Sequence, residues 1–229
     1  MAWLERLRHR RSLDSAAEEH EGETGATVEW TSPGLAALFD ALKNERSRSI
    51  LDLGHASNSH LHVLGRFSRR IRFAGLVPSP PRGDAFEAAL TGLPPSPRQP
   101  YDVVLAWDVM DRLVSHEREG LVKRLVELTA PNAWLYAVVD ASGAEFARPL
   151  RLTLLDLDRV GQEAVGPAEP VAPQLLPGHV VRLFRPFEIQ HAFTLRAGRR
   201  EYVARKMALL PGANFDGAYG EARHNLRHT

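Results

Sequence analysis

Apolar positions along the chain fall into short runs and spaced sets that alternate. Ile50, Leu51 and Leu53 make a short run ended by Gly54, suited to a strand covered on both faces. Ser57, Asn58 or Ser59 can cap a following helix with Leu61, Leu64 and Phe67 on one side. Before this strand, Leu35, Leu38, Phe39 and Leu42 recur at helical spacing behind Thr31 or Ser32 as cap and Pro33 in the first turn, which predicts a helix over 31–44. Residues 71–77 read as a second strand, stopped by Pro78, Pro80 and Pro81 because proline cannot continue a ladder. A short helix over 84–90, capped by Asp84, follows.

Residues 101–107 are the clearest strand, a buried apolar run. A helix over 120–128 turns at Pro131-Asn132 into a further strand over 134–140, and this spacing predicts a parallel pair with a right-handed crossover. Residues 148–160 carry Leu150, Leu152, Leu154, Leu155 and Leu157 and fit either an extended segment or a helix. The proline-rich stretch 161–177 reads as a loop and 179–184 as a short helix. Residues 187–195 and 200–207 read as two strands joined across Ala197-Gly198.

Composition narrows the picture. With 229 residues, one domain with a full core is expected over 31–208, between a polar extension (1–30) and a tail (209–229). A net charge of +1, with arginines dispersed apart from pairs such as Arg69-Arg70 and Arg199-Arg200, gives no nucleic-acid stripe. The absence of cysteine excludes disulfides and thiolate metal sites and agrees with a cytoplasmic location. No apolar run is long enough to cross a bilayer, and the start lacks the apolar stretch of a secretory signal. Trp3, Leu4 and Leu7 alternate with Arg6, Arg8 and Arg10. That fits a solvated terminus, or a basic amphipathic helix making weak contact with a membrane surface or a partner.

The stretch 49–59, with Leu51-Asp52-Leu53-Gly54 at its centre, resembles the first motif of class I S-adenosylmethionine-dependent methyltransferases, in which a strand runs into a glycine-rich loop (LDLGxGxG). Residues 101–113 resemble the fourth-strand motif of the same family (YDVVLAxDVLxHL), and the resemblance spans residue 50 to about 207. It implies an α/β, Rossmann-like, doubly wound, mostly parallel sheet closed by a C-terminal antiparallel hairpin. It also implies that Asp52, Gly54 and Asp108 lie on the cofactor side, with His55 either lining the same cleft or a solvated loop histidine. Three departures fall on the same pocket. Ala56 and Asn58 stand at glycine positions, although asparagine tolerates the left-handed conformation. Val77 stands where an acid normally binds the ribose hydroxyls, and each lost charged hydrogen bond costs about 1.5–3 kcal/mol. The short segment 83–100 leaves little room for a third strand.

No catalytic signature accompanies the resemblance: GxSxG, a phosphate-binding loop and HExxH are all missing from the sequence. No metal set forms either. His60 and His62 do not share a helix face, and His224 and His228, four apart, have no third ligand nearby. Asp108 either faces a ligand or caps the helix after it. The expectation is a degenerate methyltransferase-fold protein with impaired S-adenosylmethionine binding, no cofactor and no catalytic residue, acting as a binding or scaffold subunit with a protein partner. The alternative is an active enzyme using S-adenosylmethionine on a small molecule or protein.

Overall fold

A computed structural model describes residues 27–43, 48–77, 79–93, 100–144 and 146–208. The amphipathic reading of the N-terminal residues, the tail and the His224/His228 pair lie outside the described residues. The central sheet has six strands. β2 (Arg48–Asp52), β3 (Ser68–Phe73), β4 (Tyr101–Trp107) and β5 (Thr129–Asp140) run parallel. β10 (Phe187–Thr194) and β11 (Arg199–Lys206) close the sheet antiparallel beside β5. The spatial order is β10-β11-β5-β4-β2-β3. The chain therefore leaves β2 for β3 on one side, then returns to β4 on the other, which puts the switch point of the doubly wound sheet between β2 and β4. β2 and β4 are almost wholly buried, as their unbroken apolar runs require. Among the described residues no strand lies beyond β3.

Helix α1 (Pro33–Leu42) packs on β5, β10 and β11 through Leu35, Leu38, Phe39 and Leu42. Ser32 caps it, its hydroxyl accepting from Leu35 N at 3.0 Å. Glu201 of β11, fully buried, completes the cap: its carboxylate accepts from Gly34 N at 2.7 Å and from the Tyr136 hydroxyl at 2.9 Å. A carboxylate at a helix N-terminus meets both the free amides and the positive end of the dipole. This arrangement pins the first helix to the antiparallel end of the sheet. The remaining helices are α2 (Asn58–Leu64), α3 (Asp84–Gly92), α4 (Val109–Arg112), α5 (Ser115–Leu128) and α6 (Pro177–Leu183).

Several expectations need correcting. The second strand covers Ser68–Phe73, and residues 74–77 instead fold back, with Leu76 N and Val77 N both donating to Leu53 O. Leu61 points outward, and α2 buries His60, Val63 and Leu64. Gly83, not Asp84, occupies the N-cap of α3, and its amide donates to Glu117 at 3.4 Å. The α5 helix starts five residues earlier than expected, at Ser115. β5 runs through Pro131-Asn132 rather than starting after it, at the cost of an irregular register with β4 and a positive φ of 63° at Asn132.

The largest correction concerns 148–177. The leucine-rich segment is strand β7 (Leu150–Asp156), and the start of the expected loop is strand β8 (Arg159–Ala164). With β1 (Val28–Thr31), whose first three residues were expected in the polar extension 1–30 and whose last was expected to begin the first helix, they form a separate antiparallel sheet in the order β1-β8-β7. A two-residue ladder, β6 (Phe146–Ala147) with β9 (Glu169–Pro170), flanks it. β7 contacts α2, and Ser59 Oγ donates to Leu154 O.

An added Cβ at Gly34 would stand 2.8 Å from Glu201 Oε2 and 3.1 Å from Tyr136. Gly34→Ala is therefore expected to destabilise the fold by about 1–3 kcal/mol. Gly178 of α6 has open space around it, so Gly178→Ala is expected to be neutral or stabilising by up to about 1 kcal/mol. Urea unfolding of the two variants checks both.

Candidate functional site

The carboxyl ends of β2 and β4 form the crevice where doubly wound sheets bind ligands. Asp52, the last residue of β2, is fully buried there. One carboxylate oxygen accepts from Gly54 N at 2.8 Å and from Trp107 Nε1 at 2.6 Å. The other accepts from His60 Nδ1 at 2.9 Å. Three donors thus satisfy a charge that could not otherwise stay buried.

Trp107 ends β4 with a φ of 51°, in the left-handed region that a bulky residue rarely enters. A register shift against β5 between Leu105 and Trp107 marks a bulge, a device that re-aims side chains. The indole is 1% exposed, stacks on His60 at 5.3 Å and meets the Tyr136 ring edge-on at 5.8 Å. It lies so close to Gly54 that a Cβ there would be 3.3 Å from Nε1. Gly54 is thus required by the close approach of this molecule's own indole and the Asp52 carboxylate.

His55 is exposed on the loop, and its Nδ1 donates to Val77 O at 2.5 Å. Val77 is 5% exposed and belongs to the core. Gly75 N donates to Gly54 O at 3.0 Å, so the backbone after β3 is laced to the loop after β2. Ser57 caps α2 by accepting from His60 N at 3.1 Å, which sets the first helical turn beside Asp52.

Asp108 does not join this group, nor does its side chain cap α4. It pairs with Arg112 Nη2 at 3.3 Å, and Arg112 also reaches Arg148 O at 3.4 Å. Both side chains line a cavity of about 210 Å³ bounded by the ends of β4, β5 and β11 on one side and by Trp30 of β1 and Leu150 and Leu152 of β7 on the other. A second cavity of about 220 Å³ adjoins it along Asp111, Asp140 and Val171. Asp111, Asp140 and Arg199 were not singled out by the sequence reading. They gather here because α4 is one turn long and because β11 begins beside the end of β5, with Arg199 paired to Asp140 in register. Arg199 lies over the Trp30 ring at 5.5 Å and donates to Gln162.

Burial raises the Asp108 carboxyl above the ordinary range, opposed by the Arg112 guanidinium. Burial pushes Asp111 up to about 8; the Asp140 amide, donating at 2.7 Å, opposes this, while the charges of Asp108 and Asp140 reinforce it. Arg118, its own pKa lowered by burial, fastens the region by donating to Met110 O and Pro173 O, both at 2.8 Å. Among the described residues no group of three or more His, Asp or Glu side chains is placed to hold a metal. No helix there is long and apolar enough to cross a membrane.

The doubly wound, mostly parallel sheet and its closing antiparallel hairpin are those the sequence resemblance implies. The fold is class I methyltransferase-like. No family profile and no curated protein sequence matches the chain. Among solved structures it is similar to a 1,6-didemethyltoxoflavin N1-methyltransferase from Burkholderia thailandensis, at 16% identity over 87% of this chain and 84% of that one, TM-score 0.48. It is also similar to the N-methyltransferase NodS from Bradyrhizobium japonicum, at 11% identity over 76% and 94%, TM-score 0.46. A TehB-like methyltransferase from Corynebacterium glutamicum matches at 14% identity over 88% and 97%, TM-score 0.45. At such identities the likeness concerns the fold alone.

Two outcomes follow from the geometry. Trp107→Phe keeps the ring and removes the donor to Asp52, and is expected to cost about 1.5–3 kcal/mol of stability in urea unfolding. The second concerns Asp111, whose pKa in the fold (about 8) stands above its unfolded value of 3.8. Below pH 4 both states hold the proton; between pH 4 and 8 only the folded state does, so stability falls as pH rises through that window and levels off above it. The slope is at most about 1.4 kcal/mol per pH unit. Asp108 adds in the same direction. Asp111→Asn is expected to flatten the slope between pH 5 and 8, as read from urea midpoints.

Proposed function

We propose that this chain is a methyltransferase-fold protein that has given up S-adenosylmethionine binding in the β2/β4 crevice and serves as a binding or scaffold subunit. The observation that carries this reading is the Asp52–Trp107–His60 cluster. A nucleoside cofactor at this place needs a free backbone edge at the loop, room beside the glycine and an acceptor for its sugar hydroxyls. Instead, Gly54 O is bonded to Gly75 N, the space beside Gly54 is taken by an indole, and the position where the resemblance expects an acid holds the buried Val77, in the segment that folds back after β3. Both oxygens of Asp52 are already committed. On this reading the residues present do not fit the cofactor.

The charge-segregated N-terminal stretch, basic to Arg11 and acidic from Glu18 to Glu23, is the sequence feature that suits attachment to an assembly in the cytoplasm. The rival reading, an active methyltransferase, draws on the cavity beside Asp108, which lies at the carboxyl end of the sheet, where open α/β folds place ligands.

Titration calorimetry of the full chain with S-adenosylmethionine and with S-adenosylhomocysteine separates the two. No binding heat at millimolar ligand is expected. Micromolar binding of either compound overturns the proposal.

A further inference from the structure

We infer that the cavity between the ends of β4 and β5 and the strands β1 and β7 binds a small apolar α-amino acid or a close zwitterionic relative. Asp108 takes the ammonium end, and Arg112 with Trp30 takes the carboxylate end. The inference extends the binding role proposed above to a ligand class, and concerns a space separate from the filled crevice.

The starting point is a local deficit of hydrogen bonds. Trp30 Nε1, Asp108 Oδ1 and Arg112 Nε are buried with no hydrogen-bond partner. All three residues line this one cavity. Native proteins leave few buried polar atoms unpaired, so three in the walls of one space mark a place completed by something else. Asp108 is 6% and Arg112 7% exposed, so neither can turn to bulk water for compensation.

The deficit has a definite chemistry. Two unmet N–H donors call for an acceptor group, and one unmet carboxylate oxygen calls for a donor. The Asp108–Arg112 contact of 3.3 Å is longer than the roughly 2.7–2.9 Å of a well-made charged pair, and it engages only one oxygen of Asp108, leaving Oδ1 unpaired. The same cavity is lined by Val138, Leu150 and Leu152, which offer an apolar wall for a ligand side chain. The volume of about 210 Å³ falls below the roughly 300–1,000 Å³ of drug-sized sites, which limits the ligand to a compact molecule.

Charge balance agrees. Burial raises the Asp108 carboxyl, and the Arg112 guanidinium beside it opposes that rise. Asp111, raised to about 8, is mostly uncharged at neutral pH, which leaves Asp140 facing Arg148 and Arg199. Asp140 is partly engaged by the Ser142 amide at 2.8 Å, and Arg199 by Gln162. The excess of one positive group admits a carboxylate, while Asp108 Oδ1 selects for an ammonium beside it.

The test uses the full chain with L-leucine, L-valine and L-methionine as probes, read by thermal shift and calorimetry. At least one is expected to raise the unfolding midpoint saturably. Isocaproate and isoamylamine, which lack the amino and the carboxylate group of leucine, are expected to bind at least tenfold more weakly than leucine. Asp108→Asn is expected to weaken binding at least tenfold. Because that change also touches a buried ion pair, Leu152→Trp fills the cavity from its apolar wall and is expected to abolish binding with the circular dichroism spectrum retained. No shift with any probe, or binding unaffected by Leu152→Trp, overturns the inference and leaves a water-filled cavity. The two proposals fail separately: S-adenosylmethionine binding that survives Leu152→Trp overturns only the crevice reading, and a null with the amino acids overturns only this one.

Discussion

The carboxylate of Asp52 is the constraint on which the rest depends. A charge with no exposed surface is tolerated only when its lone pairs are met, and here the Gly54 amide, the Trp107 indole and the His60 ring meet them. Each donor fixes an element. The Gly54 amide sets the turn after β2. The His60 ring sets the first turn of α2. The Trp107 indole draws the end of β4 into a backbone conformation it would not otherwise adopt. The three chain segments around the switch point are therefore joined through one side chain rather than through a ligand.

The inserted sheet changes what remains of the mouth. β1, β8 and β7 stand over the ends of β4 and β5, with Ser59 fastened to Leu154 and Ser32 N donating to Asp158 O at 2.7 Å. The carboxyl end of the sheet is thereby divided in two. The half above β2 is packed with aromatic rings. The half above β5 keeps a space walled by charged groups. The raised Asp111 and Asp108 carboxyls belong to this second half, where burial outweighs the guanidinium groups that oppose it, Arg112 for both and Arg199 for Asp108.

The sheet was legible in the sequence because its signals are local. The run from Tyr101 to Trp107 is read correctly to the residue, and the closing hairpin within one residue at each end. The Ser32 cap and the apolar stripe from Leu35 to Leu42 gave α1 for the same reason. What escaped depends on partners distant in sequence. Val28 to Thr31 carries no pattern until β8 pairs with it. The proline-rich region after Gly161 obscured a six-residue strand that the prolines only follow. Asp52 and Gly54 were singled out, but not that their neighbour in space is Trp107, 55 positions away from Asp52 in the chain. The grouping of Asp108 with Asp111, Asp140 and Arg199 likewise depends on strand register, which residue types alone do not encode.

Magnitudes show why the filled crevice is stable as it stands. Holding Trp107 at positive φ costs about 1–2 kcal/mol. Its hydrogen bond to a buried carboxylate returns about 1.5–3 kcal/mol. Its contacts with the His60 and Tyr136 rings, 5.3 and 5.8 Å between centroids, add about 0.5–1.5 kcal/mol each. The balance favours the inward indole by about 0.5–5 kcal/mol. On the proposed reading, a ligand entering the crevice must first expel the indole and forgoes that balance before its own contacts count. Val77 supplies no acceptor to make good that loss. The same arithmetic does not apply on the β5 side, where nothing has to be displaced and three polar atoms lack partners. Among the described residues the crevice half keeps one unpaired buried atom, His60 Nε2, against three in the walls of the β5-side cavity, and on the proposed reading that contrast favours binding there.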